Sequence, residues 1–504
     1  MKQIFQTHFS GESLKAKVFR GGALMGLGSV AEQSVRFGRN MLLTRMLAPE
    51  AFGLMAMVLS AATLIQVLVD VGAREALVQN PKGSEEGHVV AAWWMTVGRA
   101  LFIYSLVYVL APFASTFYGH SELTALARVA ILSIVFDGLM SPRATVAQKE
   151  MKFGRVAAID NGGSICGVLI TVILSFYLRD VWALVIGYCS ENAIRCILSF
   201  VLCPFRPRIP SNLSAFRDLL RFSKGMVGLT VLNFIFTRTD IFVLAKLYSS
   251  AEIGLYSMAI YLVQTPTTFL VRIMAQTLFP TFSHIQDDPA RGNRILLKVI
   301  SATLLLGLPA LVFAAFCGHS LLMVVYGQRY GVAAVALVLA ACASLINVLN
   351  AQLTMVFYAQ GLPQLHRRAV AAMAALVIVL TYPLTKEFGL WGAQLAVLIA
   401  IVVGYALQVE RIRKVIGFNL SEYRKTLVVP FAISLCAVLA CLAARSAGIL
   451  LRPLPNITFG ILGCLATSGI AFAYFFREQK EFTQPEAVPL VTTGAVLESG
   501  GSRK

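Results

Sequence analysis

Between residues 22 and 476 this sequence is a succession of apolar runs, each about 20 residues or longer, separated by short polar gaps. That is the length a helix needs to cross the hydrocarbon core of a bilayer. No water is available there to bond an exposed backbone, so only helices and closed barrels span it. The runs are read as spanning helices. The reading gives fourteen spans, at 22–44, 51–72, 90–117, 122–141, 156–178, 181–203, 225–245, 253–279, 296–317, 331–358, 368–385, 389–409, 427–446 and 457–476. The expected fold class is all-α, a polytopic membrane protein.

Composition agrees. Of 504 residues, 57% are hydrophobic and only 13% charged, whereas soluble domains are nearer half apolar and a quarter charged. A net charge of +18 would suggest nucleic acid on a soluble protein. Here the cations gather in alternate connections, which is the mark of cytoplasmic loops, and no nucleic-acid partner is expected. One set holds Lys15, Lys17 and Arg20, then Arg143, Lys149, Lys152 and Arg155, then Arg206, Arg208, Arg217, Arg221 and Lys224, and later Arg411, Arg413 and Lys414. The opposite set holds isolated cations such as Arg45, Arg179, Lys246 and Arg329. Both termini are therefore expected in the cytoplasm of a multi-pass inner-membrane protein. The basic N-terminus lacks the apolar stretch of a cleaved signal peptide. The nine cysteines lie in apolar segments without a C-x-x-C pair, so they read as small buried hydrophobes, and no metal or cofactor is expected.

A repeat divides the chain. Thr44–Met57 (TRMLAPEAFGLMAM) reappears 201 positions later as Ala245–Met258 (AKLYSSAEIGLYSM), with Arg45 matching Lys246 and Gly53 matching Gly254. Six spans lie between the copies, an even number, so the two halves run in the same sense. That predicts two parallel six-helix lobes with a substrate path between them. The expected organisation is a cytoplasmic tail over 1–21, an N-lobe over 22–203, a linker over 204–224, a C-lobe over 225–409, two further helices with a basic loop over 410–476, and a disordered tail over 477–504.

Seven arginines fall inside spans: Arg36, Arg39, Arg99, Arg128, Arg195, Arg238 and Arg272. Facing lipid at mid-bilayer, each would cost about 2.5–3.5 kcal/mol. They must face water, one another or acids. Glu32, Arg36 and Arg39 stand at i, i+4 and i+7 on the first span, a single stripe. The repeat maps these positions onto Asn233, Thr237 and Asp240. Gln264, Thr268 and Arg272 share a face of the eighth span, and Glu191 and Arg195 are four apart on the sixth. Structural ion pairs (Glu32 with Arg36, Glu191 with Arg195) are the plain reading. The functional one is a cationic cavity whose arginines suit phosphate oxygens. The cavity candidates are Arg36, Arg39, Arg272, Arg238, Arg99 and Arg128, with Glu32, Asn233, Thr237, Asp240 and Gln264 as its polar stripe. No nucleotide-binding loop is present, so energy would come from an ion gradient or product flux. Asp70, Asp137, Asp160 and Glu191 are candidate ion carriers.

The segments TRMLAPEAFGLMAMV, TRTDIFVLAKLYSSAEIGLYSMA, LFPTFSHIQDD, GLPQLHRRA and FGLWGAQLA resemble the Wzx-type polysaccharide transporters of the multidrug/oligosaccharidyl-lipid/polysaccharide exporter superfamily, from about residue 20 to 410. The resemblance implies flipping of an undecaprenyl-pyrophosphate-linked oligosaccharide repeat unit by alternating access, for exopolysaccharide or lipopolysaccharide synthesis. It implies basic residues of the first and eighth spans in a central cavity, hence Arg36, Arg39 and Arg272. A polysaccharide polymerase and a chain-length regulator would be partners. A multidrug exporter of the same fold is one alternative, although an arginine-rich cavity should repel cationic drugs. A membrane enzyme such as a polymerase is the other, and no HxxxxD, DxD or GxSxG signature supports it. The chain is not expected to be an enzyme.

Overall fold

A computed structural model describes residues 14–69, 72–209, 215–219 and 227–446, together with 458, 460, 463 and 469. Its regular elements among the described residues are helical. With the expected N- and C-lobes called the first and second lobe, the first carries α1 (Leu14–Met46), α2 (Pro49–Leu68), the short α3 (Ala73–Gln79), α4 (Glu86–Tyr118), α5 (Leu123–Ala130), α6 (Leu132–Leu139), α7 (Pro142–Lys149), α8 (Phe153–Leu178) and α9 (Val181–Leu202). The second consists of α10 (Val227–Leu247), α11 (Ser250–His284), α12 (Pro289–Tyr326), α13 (Ala334–Ala359), α14 (Pro363–Phe388) and α15 (Leu390–Ile416). Helix α16 (Leu420–Ser446) follows and packs on α12.

Eleven of the described helices are long and apolar enough to cross a membrane, or twelve if Leu123–Leu139 and Pro142–Lys149 are one bent span. Fourteen spans were expected. Helix α1, which carries Glu32, Arg36 and Arg39, is not among the eleven. The expected span at 457–476 lies almost wholly outside the described residues, as do Asp70 and the tail over 477–504. The fourth span differs from the single helix expected over 122–141. It breaks at Ile131 and turns by 56° between Leu139 and Pro142. Proline disfavours helical geometry in the residue before it, and Ser141 takes φ −59°, ψ 120°. Its freed N–H donates to Ser199 Oγ at 2.9 Å, and its hydroxyl to the Cys203 carbonyl at 2.6 Å. The break is thus satisfied by α9 instead of by water.

The two copies of the repeat start the second helix of each lobe by different means. In the first copy Pro49 opens α2, where its missing N–H costs nothing. In the second, Ser249 and Glu252 form a capping box, each side chain bonding the other's backbone N–H. Both helices then run side by side, and α2 packs against α11 and α10 across the lobe boundary. One apolar cluster spans the boundary, with Leu43, Phe52, Leu54 and Met57 from the first lobe and Ile253, Tyr256, Met258 and Tyr326 from the second. The two lobes therefore share a core at the end of the molecule where the repeat lies.

Candidate functional site

Among the described residues, four charged side chains of α1 and α9 meet. Arg36 Nε donates to Glu32 Oε1 at 3.1 Å, and Arg36 Nη2 also donates to Glu191 Oε1. Arg195 Nη2 reaches Glu32 Oε1 at 3.1 Å and Glu191 Oε1 at 3.0 Å. Two carboxylates and two guanidiniums thus form a closed box, each cation touching both anions. The spacing of the residues suggested two separate pairs, one per helix. The structure fuses them. Glycine makes this possible: a Cβ at Gly163 or Gly167 of α8 would overlap the stems of Arg195 and Glu191. Glu191 is buried, and Arg36, Arg195 and Glu32 are partly so. In a low-dielectric setting such a box persists because every charge is answered.

The remaining first-lobe candidates divide. Arg39 does not continue the stripe toward Glu32. Its Nε and Nη2 donate to Asn40 Oδ1 at 3.2 and 3.1 Å. Arg74, assigned from sequence to a loop, binds Asp137 through Oδ1 at 3.0 Å and through the carbonyl at 2.7 Å. Asp160 lies within electrostatic reach of Arg195, Glu32 and Arg74. It also lines a cavity of about 420 Å³ with Arg74. Arg36, Arg39, Arg74 and Arg195 are therefore matched in number by Glu32, Asp137, Asp160 and Glu191, and this face is close to electrically neutral. Arg128 is placed apart. Its guanidinium stacks 4.0 Å over the exposed Tyr108 ring and bonds the Tyr108 carbonyl at 3.3 Å. Arg99 is half-buried on α4.

In the second lobe the expected stripe splits by depth. Asn233, Thr237 and Arg238 are exposed on α10, whereas Asp240 is buried. Tyr256 donates its hydroxyl to Asp240 Oδ2 at 2.8 Å and lies 3.1 Å from Gln394 Oε1. Asp240 also accepts from the Ile241 N–H at 2.8 Å. This cluster of three helices was not foreseen, because periodicity does not tell which helix a residue meets. On α11, Gln264, Thr268 and Arg272 are all exposed, as expected of one face. In lipid such a row is tolerable only where it meets water.

The end with the repeat is shut. A Cβ on Gly53 would overlap the Ser250 carbonyl, and one on Gly254 the Pro49 carbonyl. Those four residues are themselves related by the 201-residue offset. Two cations reinforce the closure reciprocally. Arg45 of the first lobe donates to the Val324 carbonyl at 2.7 Å, near the end of α12 in the second. Lys246 of the second donates to the Phe117 carbonyl at 2.6 Å, near the end of α4 in the first, with its ammonium 4.4 Å over the Phe117 ring. Both cations sit where the helix dipole is negative. From sequence they were merely isolated loop charges.

Among the described residues, no group of three or more His, Cys, Asp or Glu is placed to hold a metal ion.

Residues 42–335, more than half of the chain, match the family model described as "Polysaccharide biosynthesis protein". The lipopolysaccharide biosynthesis protein WzxC of Escherichia coli (strain K12) is 22% identical over 63% of this chain and 65% of its own length. The succinoglycan biosynthesis transport protein ExoT of Rhizobium meliloti (strain 1021) is 25% identical over 58% of this chain and 59% of its own. The chain thus spans about two thirds or less of these relatives. Among solved structures, the lipid II flippase MurJ in an inward closed conformation aligns with a TM-score of 0.74 over 91% of this chain and all of that one, at 15% identity. The likeness establishes a shared fold.

Proposed function

We propose a function from one premise: the chain belongs to the family of polysaccharide biosynthesis proteins. It is a flippase that carries an undecaprenyl-diphosphate-linked oligosaccharide repeat unit from the cytoplasmic to the periplasmic leaflet of the bacterial inner membrane. The observation that carries the reading is the exposed row Gln264, Thr268 and Arg272 on α11, with Arg238, Thr237 and Asn233 likewise exposed on α10. A polar, cationic wall inside an otherwise lipid-solvated bundle serves a charged cargo that must stay wet. Guanidinium groups grip diphosphate oxygens by two parallel hydrogen bonds. The lipid tail needs no protein cavity, since it stays in the bilayer. Polysaccharide-synthesis relatives support a saccharide as the rest of the cargo. A polymerase and a chain-length regulator would act on the product.

The closed repeat end fits alternating access. With the two lobes joined there, this reading has the opposite end open to receive the cargo. It takes the shut end as periplasmic and both termini as cytoplasmic, because cations gather in alternate connections. A reporter active only in the periplasm, fused after Phe476, is expected to be silent; activity there would invert or break this topology.

Deleting the gene is expected to abolish a surface or secreted polysaccharide while its lipid-linked precursor accumulates, as seen by mass spectrometry of extracted lipids. Release of unpolymerised repeat units instead would favour a polymerase. Intact polysaccharide with loss of drug tolerance would favour a drug exporter.

A further inference from the structure

The cavity of about 420 Å³ between α3, α7 and the start of α8 has no part in the function proposed above. Its volume lies within the range of small-molecule sites, about 300–1,000 Å³. We propose that it is a subsite for the sugar portion of the cargo, beside but distinct from the diphosphate contacts; the proposal rests on the flippase reading.

The wall chemistry selects the ligand. Glu75, Gln79, Thr145, Gln148 and Asp160 line the cavity. None of these five side chains spends its hydrogen-bonding capacity on another described residue. By contrast, the hydroxyls of Thr96 and Ser141 in the same wall are committed to the carbonyls of Trp93, Gly138 and Cys203. Two amides, a hydroxyl and two carboxyls offer donors and acceptors in the mixture that vicinal hydroxyl groups require. Val78, Met140 and Ile159 supply apolar wall between them, suited to the C–H faces of a pyranose ring.

Charge excludes the diphosphate. Arg74 is the cation of this wall, and it is neutralised by Asp137 at 3.0 Å. Glu75 and Asp160 remain, so an anion entering here meets repulsion. A lipophilic cation would welcome those carboxyls, but it also seeks aromatic faces. Among the described residues, no aromatic side chain lines this cavity. An uncharged, hydroxyl-rich group is what satisfies the wall.

The test uses the full chain in lipid nanodiscs and native mass spectrometry. The probes are undecaprenyl diphosphate and the same lipid carrying one glucose or one galactose. The parent is expected to bind a hexose-bearing lipid about tenfold more tightly than the bare one, the effect of two net hydrogen bonds. Gln79→Ala with Gln148→Ala, both at exposed positions, is expected to cut that preference to under about threefold. Binding of the bare lipid should move by less than about twofold. Equal binding of bare and sugar-bearing lipid by the parent overturns the subsite and leaves the flippase reading intact. So does an unchanged preference in the double variant. Failure of the parent to bind either lipid overturns the flippase reading itself. Binding of tetraphenylphosphonium that the double variant abolishes would reassign the cavity to cations.

Discussion

Gly53→Val, and separately Gly254→Val, is expected to reduce transport per inserted molecule to under about a tenth of the parent's. Each glycine faces a backbone carbonyl of the other lobe, Ser250 or Pro49, so closely that even a methyl group would overlap it. Carbon needs about 3.5–4.0 Å from such an atom. Backbone cannot rotate aside as a side chain can, so α2 and α11 would have to part. Parting them also separates Arg45 from the Val324 carbonyl and Lys246 from the Phe117 carbonyl. The closed state would be lost through one substitution on either side. Each lobe keeps the rest of its own packing, so the amount of protein in the membrane should fall by no more than about twofold. Arg45→Ala with Lys246→Ala should show the same defect in weaker form, since it removes the bonds without inserting bulk. Normal polysaccharide output from Gly53→Val would show that this end does not have to close during transport.

That prediction grew from a repeat visible in the sequence. Its meaning was only partly legible there. Matching positions 201 apart paired Gly53 with Gly254 and led to the expectation of two parallel lobes. They did not announce that the two copies touch, because periodicity describes one helix and is silent about its neighbour. The same limit explains the box. Glu32 and Arg36, like Glu191 and Arg195, share a helix face by simple spacing, but the contact across 155 residues between Arg36 and Glu191 has no local signal. It explains Asp240 too. The stripe placed Asp240 on the face of Asn233 and Thr237, yet burial against Tyr256 and Gln394 took it out of the exposed row. Positions of charges were readable; their partners were decided by packing. Apolar length located most spans, whereas the charged α1 and the broken fourth span show where a hydropathy argument loses resolution.

Glu191→Ala is expected to strip most of the folded protein from the membrane, whereas Arg272→Ala is expected to spare the protein and lose the transport. The two residues stand for the two ways of keeping charge in a bilayer. Glu191 is 2% exposed and answers both Arg36 and Arg195. Without it Glu32 alone must serve two partly buried guanidiniums. Breaking one side of a buried ion pair costs about 3–5 kcal/mol, and whole domains hold only about 5–15 kcal/mol. Arg36→Ala should be milder in amount, because Glu191 keeps Arg195. Arg272 lies on the exposed row instead, where the proposed function has its charge meet the cargo. There Arg→Lys keeps the charge but gives up the bidentate fork, so partial transport should remain. Arg272→Ala should lose most transport per molecule, and Arg272→Glu should lose all of it by repelling the diphosphate. Polysaccharide output divided by the quantity of inserted protein separates these effects. If Arg272→Ala transports normally per molecule, the diphosphate is not held by this row. If Glu191→Ala accumulates normally, the box does not stabilise the lobe. In that second case Arg36 and Arg195 must already be answered by water, and they would then join the path that cargo takes.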